Sequence, residues 1–423
     1  MNNIQDLNIE KEILPLFDNT INKFSSAKIL EILNQPLKSI EEIKLRQHIF
    51  RGFSDNNKIL KDYSYSVSYL LEVYHFLNKY DLDELSEKKF KYRFLTSKKV
   101  KVEHKARLSQ MILLFHRLNA FCFSRLSLNA FPKTYEKKLR EIIDFLSVFN
   151  LEYYDNLIRE YKFKDYEIIE VCKKINELKS KDKISLFWEN LFCFEAYFSI
   201  NQTIEQRNFA FPEFGKKIVL ENFYHPLLEK PVKNDFSTSS NVILLNGANM
   251  SGKSTFLKAI GLSIYLGHIG IGIPALNGII PFFENFSIGI NHRDDILNGY
   301  SHFMTEVQNL KKVVLKSSEE SCLAIFDELF SGTNLEDALE IYKTTINGLA
   351  EFKSSLFFIS THIQQLKETK LDGVSTFHID CKLINNTPTF TYKLKEGWSN
   401  VKVGRILFEK EGLNKLLTKK VYI

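Results

Sequence analysis

The sequence predicts an all-α segment followed by an α/β domain built around a phosphate-binding loop. Three observations carry this. From about residue 15 to 200 apolar residues recur three and four apart, as in Leu139, Ile142, Ile143 and Leu146 or Ile184, Phe187, Leu191 and Phe194, the period of amphipathic helices. From about residue 217 short apolar runs alternate with helical stretches and turn residues, the texture of an α/β sheet. Within that second part residues 246–255 read NGANMSGKST, directly after Val242, Ile243, Leu244 and Leu245 and directly before Phe256, Leu257, Ala259 and Ile260. We therefore divide the chain into a helical domain over 1–205 and an α/β domain over 206–423.

The helical half contains only Pro15, Pro36 and Pro132 as prolines, which permits long helices with few hard stops. A chain of 423 residues exceeds one ordinary core, and 44% hydrophobic content with 36 Phe and 18 Tyr excludes a disordered protein. Cys122, Cys172, Cys193, Cys322 and Cys381 are scattered with no CxxC pair, so neither a disulfide framework nor a zinc site is expected. The start MNNIQDLNIEKE lacks the basic and apolar regions of a signal peptide, and a cytoplasmic location is expected. Ala259 to Phe283 carries no charged side chain, yet five glycines and two prolines interrupt it. A buried helix leading into a buried strand explains it better than a membrane span.

The net charge is +6, and counting gives 33 basic against 28 acidic residues in 1–200 but 24 against 23 thereafter, so the excess lies in the helical half. Lys88, Lys89, Lys91, Arg93, Lys98, Lys99, Lys101, Lys105 and Arg107 crowd together there, interleaved with Phe90, Tyr92 and Phe94. Such a patch suits a nucleic-acid backbone with stacked bases, and equally a solvated helix face.

The chemistry starts at the loop. Its spacing fits GxxxxGK[ST] with Gly247, Gly252, Lys253 and Ser254 in the fixed places, and its strand, loop and helix context is the required one. Backbone amides of Gly247, Ala248, Asn249, Met250, Ser251, Gly252 and Lys253, with Ser254 and Thr255, are expected to cradle phosphates at a helix N-terminus. Lys253 is expected to reach the β- and γ-phosphates, and Ser254 to ligate Mg²⁺. The run Cys322 to Phe326 ends in Asp327 and Glu328, placing one carboxylate to help hold the metal and the next to polarise a water for in-line attack. A third run, Ser355 to Thr361, ends at His362, which is suited to contact the γ-phosphate or the attacking water.

GANMSGKST resembles the phosphate loop of the MutS mismatch-repair ATPases, usually written GPNM[GS]GKST. Asn222 to Leu227 resembles the family's upstream RHPV/L segment, Asp294 to Glu306 its DDLxxGxSTFMxEM stretch, and Glu396 to Asn400 with Gly404 its late segment. Asp18, Asn19, Thr20, Ser25 to Pro36 and Ile40 to Ile43 are similar to a core-domain run of the same family. The resemblance implies an ABC-like ATPase domain preceded by an all-α core or lever domain, with ATP and Mg²⁺ as ligands. It places Asn249 near the γ-phosphate, Asp327 at the metal, Glu328 as water activator and His362 as nucleotide sensor. It also implies that Ser301 completes the partner subunit's site in a homodimer, with Asp337 in the stretch facing that partner.

Departures qualify the match. Ala248 replaces the family's proline, and Val232 stands where an aromatic residue commonly stacks on adenine. Ser331 and Asn334 depart from the commoner GRGTS wording, and with so few residues before Asp18 the family's mismatch-reading and connector domains are not expected. The implied activity is ATP-dependent gripping of a DNA structure, possible in repair or recombination, with no membrane association. The alternative is an ATP-gated protein-interaction module without direct DNA recognition.

Overall fold

The computed structural model describes residues 4–79, 94, 96–290, 302–330, 333–369, 373–384, 387–399 and 403–418. Its helices are α1 Lys23–Leu33, α2 Ile40–Asp55, α3 Val67–Lys79, α4 Lys98–Phe121, α5 Lys133–Ser147, α6 Leu151–Arg159, α7 Asp165–Ser180 and α8 Lys183–Arg207. After them come β1 Glu213–Phe214, β2 Ile218–Phe223, β3 Asn234–Thr238, β4 Val242–Asn246, α9 Lys253–His268, β5 Asn277–Ile280 and β6 Asn285–Gly289. The chain continues with α10 His302–Ser317, β7 Cys322–Phe326, α11 Leu335–Ala350, β8 Leu356–Ser360, β9 Val374–Ile384, β10 Thr387–Glu396, α12 Val403–Lys410 and α13 Leu413–Thr418. A helical first half and a mixed α/β second half thus follow the sequence expectation.

Two compact units result: one comprises 17–32 and 44–205, the other 1–16, 33–43 and 206–423. The helical unit is packed by aromatic rings. Phe115, Phe145, Phe187 and Trp188 form one stack, with Phe145 and Phe187 4.1 Å apart between ring centroids, and Phe53, Phe131, Phe194 and Phe198 form another. Amid them the buried Glu195 carboxylate accepts hydrogen bonds from Asn22 Nδ2 at 2.7 Å, Ser25 Oγ at 2.5 Å and Tyr63 Oη at 2.5 Å. Burial raises the Glu195 pKa despite these donors, because removing a carboxylate from water disfavours its charged form. The Asp18 to Ser26 segment is thereby tied to α8, reinforced by Asn19 Nδ2 donating to Thr203 Oγ1 at 3.0 Å.

The α/β unit holds a six-stranded sheet ordered β10-β9-β4-β8-β7-β6 and a four-stranded sheet ordered β1-β5-β2-β3. Strands β9, β4, β8, β7 and β6 are mutually parallel, with Val242 and Ala324 both opposite Phe357, and β10 returns antiparallel to β9. Every residue of β4, β7 and β8 is buried, which explains why these strands read as unbroken apolar runs rather than alternating ones. The apolar stretch from Ala259 is the buried helix α9 followed, after a turn region, by β5, as its glycines and prolines suggested. No helix among the described residues is long and apolar enough to cross a membrane, and all five cysteines are free.

The N-terminal residues contribute to this unit. Leu7, Ile9 and Ile13 are buried, and Asp6 Oδ2 accepts the amide N–H of Ile290 at 2.8 Å, just beyond the end of β6. Leu37 donates its amide to the carbonyl of His268, and Tyr265 Oη donates to the carbonyl of Leu33 at 2.8 Å, so α9 is held from its outer turns.

Candidate active site

The central strand β4 delivers the phosphate loop to the end of the sheet. Asn246, its last residue and fully buried, fixes the loop's base: Nδ2 donates to the carbonyls of Phe377 at 2.9 Å and Gly397 at 3.2 Å, while Oδ1 accepts the Ser399 amide at 2.8 Å. The late segment around Trp398 is thus the floor beneath the loop. Gly247 and Gly252 have φ of 138° and 102°, a region L side chains rarely enter. A Cβ on Gly247 would stand 3.1 Å from Ser251 Oγ and 3.3 Å from the Ile379 carbonyl, and one on Gly252 would stand 3.2 Å from the ring of Tyr392. These two glycines let the backbone curl and enter α9 at close quarters.

Within the loop Ser251 Oγ is buried and makes no hydrogen bond among the described residues, a donor suited to a phosphate oxygen. Asn249, Ser254 and Thr255 are exposed, and Met250 is largely so at φ 67°. Lys253 is buried, and Nζ donates to the carbonyls of Gly247 at 3.1 Å and Ala248 at 3.2 Å. Burial depresses its pKa, and the nearby Glu328 and Asp327 carboxylates only partly offset that. An anion in the loop would restore the missing compensation.

Strand β7 brings Asp327 and Glu328 to the same end of the sheet, with β8 between β7 and β4. Asp327 is buried, its amide donates to the Gly289 carbonyl at 3.1 Å, and its Oδ1 accepts from Ser360 Oγ. Its Oδ2 makes no hydrogen bond among the described residues. Glu328 has φ 54°, strained for a non-glycine residue, and is held there because its amide donates to the same Ser360 Oγ at 2.8 Å. The Glu328 carboxylate lies 2.5 Å from His362 Nε2 and 4.0 Å from Lys253 Nζ. Lys253, Asp327, Glu328 and His362, singled out in the sequence on separate runs, therefore converge at one point. Phe330 donates its amide to Glu306 Oε2 at 3.0 Å, and Tyr342 Oη donates to the Leu329 carbonyl at 2.5 Å, clamping the turn after the carboxylates.

Sequence reasoning missed Ser360. It bridges both carboxylate residues, yet a serine at a strand end carries no signal of its own. It also missed Tyr392. A cavity of about 320 Å³ beside the loop is lined by Ser251, Gly252 and Thr255 with Val232, Tyr224 and Tyr392. Tyr392 sits in a bulge of β10 at φ 55°, and Asn234 secures it: Nδ2 donates to the Tyr392 carbonyl at 3.0 Å and Oδ1 accepts the Leu394 amide at 2.8 Å. An aromatic ring thus faces the cavity from a strand far downstream of Val232.

Other sequence expectations fall elsewhere. Ser301, Asp294 to Tyr300, Ser331 and Asn400 lie outside the described residues, as do Lys88, Lys89, Phe90, Lys91, Tyr92 and Arg93 of the basic patch. Gly404 is described only as part of α12. Asp337 lies in the first turn of α11, where its amide donates at 2.9 Å to Oδ1 of the capping Asn334. In the described part of the patch Lys101 pairs with Asp165 at 2.6 Å and Arg107 with Glu103 at 2.7 Å, which removes part of its free positive charge.

Residues 243–418 match the family model of MutS domain V. The chain is 29% identical over 211 residues to the DNA mismatch repair protein MutS of Bacillus subtilis, covering 47% of this chain and 24% of that protein. It is 30% identical over 212 residues to the protein of the same name from Bacillus thuringiensis, with 47% and 24% covered. Against that of Bacillus licheniformis it is 27% identical over 253 residues, with 57% and 29% covered. The match spans only about a quarter of the length of these curated relatives.

Proposed function

Because the chain belongs to the MutS family through its domain V, we propose that it is a Mg²⁺-dependent ATPase whose dimer uses ATP binding and hydrolysis to grip and release a DNA structure. The observation that carries the ATPase part is the convergence of Glu328, His362 and Lys253 beside the phosphate loop. In this reading 206–423 is an ABC-like ATPase domain, to which 1–16 and 33–43 lend packing, and the remainder of 1–205 supplies the core or lever domain.

Lys253 and the loop amides hold the β- and γ-phosphates, and Asn249 lies at the γ end. Mg²⁺, when bound, would be held by the Ser254 hydroxyl and the Asp327 carboxylate, both hard oxygen donors, and would supply charge neutralisation at the phosphates. Glu328 accepts the proton of the attacking water, and His362 keeps that carboxylate in place and registers the γ-phosphate. The adenine enters the cavity between Val232 and Tyr392, so the stacking ring comes from β10 rather than from the Val232 segment. Ser301 reaches the partner subunit's γ-phosphate. A role in DNA repair or recombination follows from gripping DNA in an ATP-gated way.

Two experiments test this. Affinities for mismatched, branched and single-stranded DNA are measured with and without ATP across salt concentrations. The expected result is a steep salt dependence, from release of counterions by bound phosphates, and an ATP effect on at least one DNA form. Weak, salt-insensitive binding to every form overturns the DNA part. For the dimer, mixing Ser301→Ala with Lys253→Ala subunits is expected to restore ATP turnover, because one heterodimer site is then intact. Absence of complementation between two correctly folded variants overturns action across the dimer.

A further inference from the structure

We infer that Arg117, Phe121 and Arg125 form a contact for the phosphodiester backbone of DNA on the helical unit; this rests on the DNA-binding reading above. Arg117 and Phe121 lie one turn apart at the end of α4, and Arg125 closes the short 3₁₀ turn Phe123–Arg125 that follows. Both guanidinium groups lie over the same ring, each 5.4 Å from the Phe121 centroid. The ring itself is 42% exposed, and both arginines are exposed.

Two features separate this place from an ordinary solvated face. The first is missing compensation. Among the described residues no carboxylate pairs with Arg117 or Arg125. On α4 Lys101 and Arg107 have partners at 2.6 and 2.7 Å while Lys98, Lys99 and Lys105 likewise have none among the described residues, so what sets the two arginines apart is that both lie uncompensated over one ring. One ring thus holds two like charges within about 11 Å of each other, close to the screening length of physiological salt, where their repulsion is still felt. An anion spanning both relieves it.

The second feature is preorganisation. Arg117 Nε donates to the Ser64 carbonyl at 2.6 Å and Nη2 to Ser64 Oγ at 2.7 Å, leaving Nη1 with no hydrogen bond among the described residues. A guanidinium already fixed by stacking and two hydrogen bonds loses little rotamer freedom on binding phosphate. Planar forks suit phosphate oxygens, and two such forks a short distance apart suit neighbouring phosphates of one strand.

The test uses the full chain and the DNA forms above, titrated from about 50 to 200 mM salt. Arg125→Gln removes a side chain whose contact among the described residues is the Phe121 ring, so folding is preserved; Arg117→Gln, Arg125→Gln is the second variant. The single variant is expected to weaken binding about tenfold and to lower the slope of log affinity against log salt by about one, the double variant by about two. ATP turnover without DNA stays unchanged. If the parent binds DNA and both variants bind it with the same affinity and slope, the contact is overturned while the DNA reading stands. If the parent binds no DNA at any salt, both are overturned. A variant that loses affinity for poly-glutamate but keeps that for DNA assigns the arginines to an acidic protein partner and also overturns the proposal.

Discussion

Glu328→Gln is expected to abolish steady ATP turnover while leaving ATP binding within a few-fold of the parent. Glutamine keeps the shape of the side chain and can still hydrogen-bond His362 Nε2, which lies 2.5 Å from the carboxylate. It also meets the same backbone demand at φ 54°. What it lacks is a basic oxygen for the proton of the attacking water. A positioned general base contributes about 10²–10⁴ in rate, so kcat should fall by at least two orders of magnitude, or about 3 kcal/mol in the barrier. Unchanged multiple-turnover hydrolysis in a folded Glu328→Gln protein removes Glu328 from that role. Ser360→Ala is the informative companion. Its Oγ serves both the Asp327 carboxylate and the Glu328 amide, and deleting it leaves two buried polar groups short of a partner. We expect a smaller kcat loss with KM for ATP little changed, as befits a residue that orients others.

The contrast between these two residues shows what the sequence discloses and what it does not. Glu328 was legible because a fully buried parallel strand must be apolar throughout, so the carboxylates that end it stand out. The loop was legible because close backbone curvature needs Gly247 and Gly252 at fixed spacing, and the next helix must start there. The helices of the first half showed their period directly. Ser360 was not legible: its meaning arises only when β8 inserts between β4 and β7 and brings it beside a residue 33 positions earlier. Tyr392 was hidden further, since its left-handed φ comes in a bulge with neither glycine nor asparagine at that position to announce it. Nor did local pattern reveal that Leu7, Ile9 and Ile13 pack with the distant α/β unit. The Lys and Arg run was visible as charge, but charge in sequence does not reveal partners. Asp165, sixty-four residues away, neutralises Lys101, while Arg117 and Arg125, outside the run, have no carboxylate partner among the described residues.

Acid is expected to unfold the α/β unit through His268, at the end of the helix that Lys253 begins. The imidazole is fully buried, flanked by the rings of Phe282 and Phe283 at centroid distances of 5.4 and 5.8 Å, with Phe214 and Phe286 edge-on. Nδ1 donates to the Ile264 carbonyl and Nε2 accepts the Phe283 amide, both at 2.8 Å, which fixes the neutral tautomer. Protonation at Nε2 would oppose two N–H groups and place a charge among phenyl rings. Burial accordingly lowers its pKa from 6.5 to about 4. The unfolded chain therefore binds this proton first as pH falls. The stability contribution is complete above pH 6.5, declines as pH drops from there, and is gone near pH 4, where the folded form protonates as well. A gap of that size corresponds to about 3 kcal/mol, a large part of the 5–15 kcal/mol typical of a folded domain. Urea midpoints measured from pH 7.5 to 4.5 should fall more steeply for the parent than for His268→Gln, whose amide oxygen can accept the Phe283 N–H without ever gaining a proton. Nucleotide binding should be lost over the same interval, because α9 presents the phosphate loop at its other end. Parallel pH profiles for the two proteins, both folded at pH 7.5, overturn the assignment of this acid sensitivity to His268.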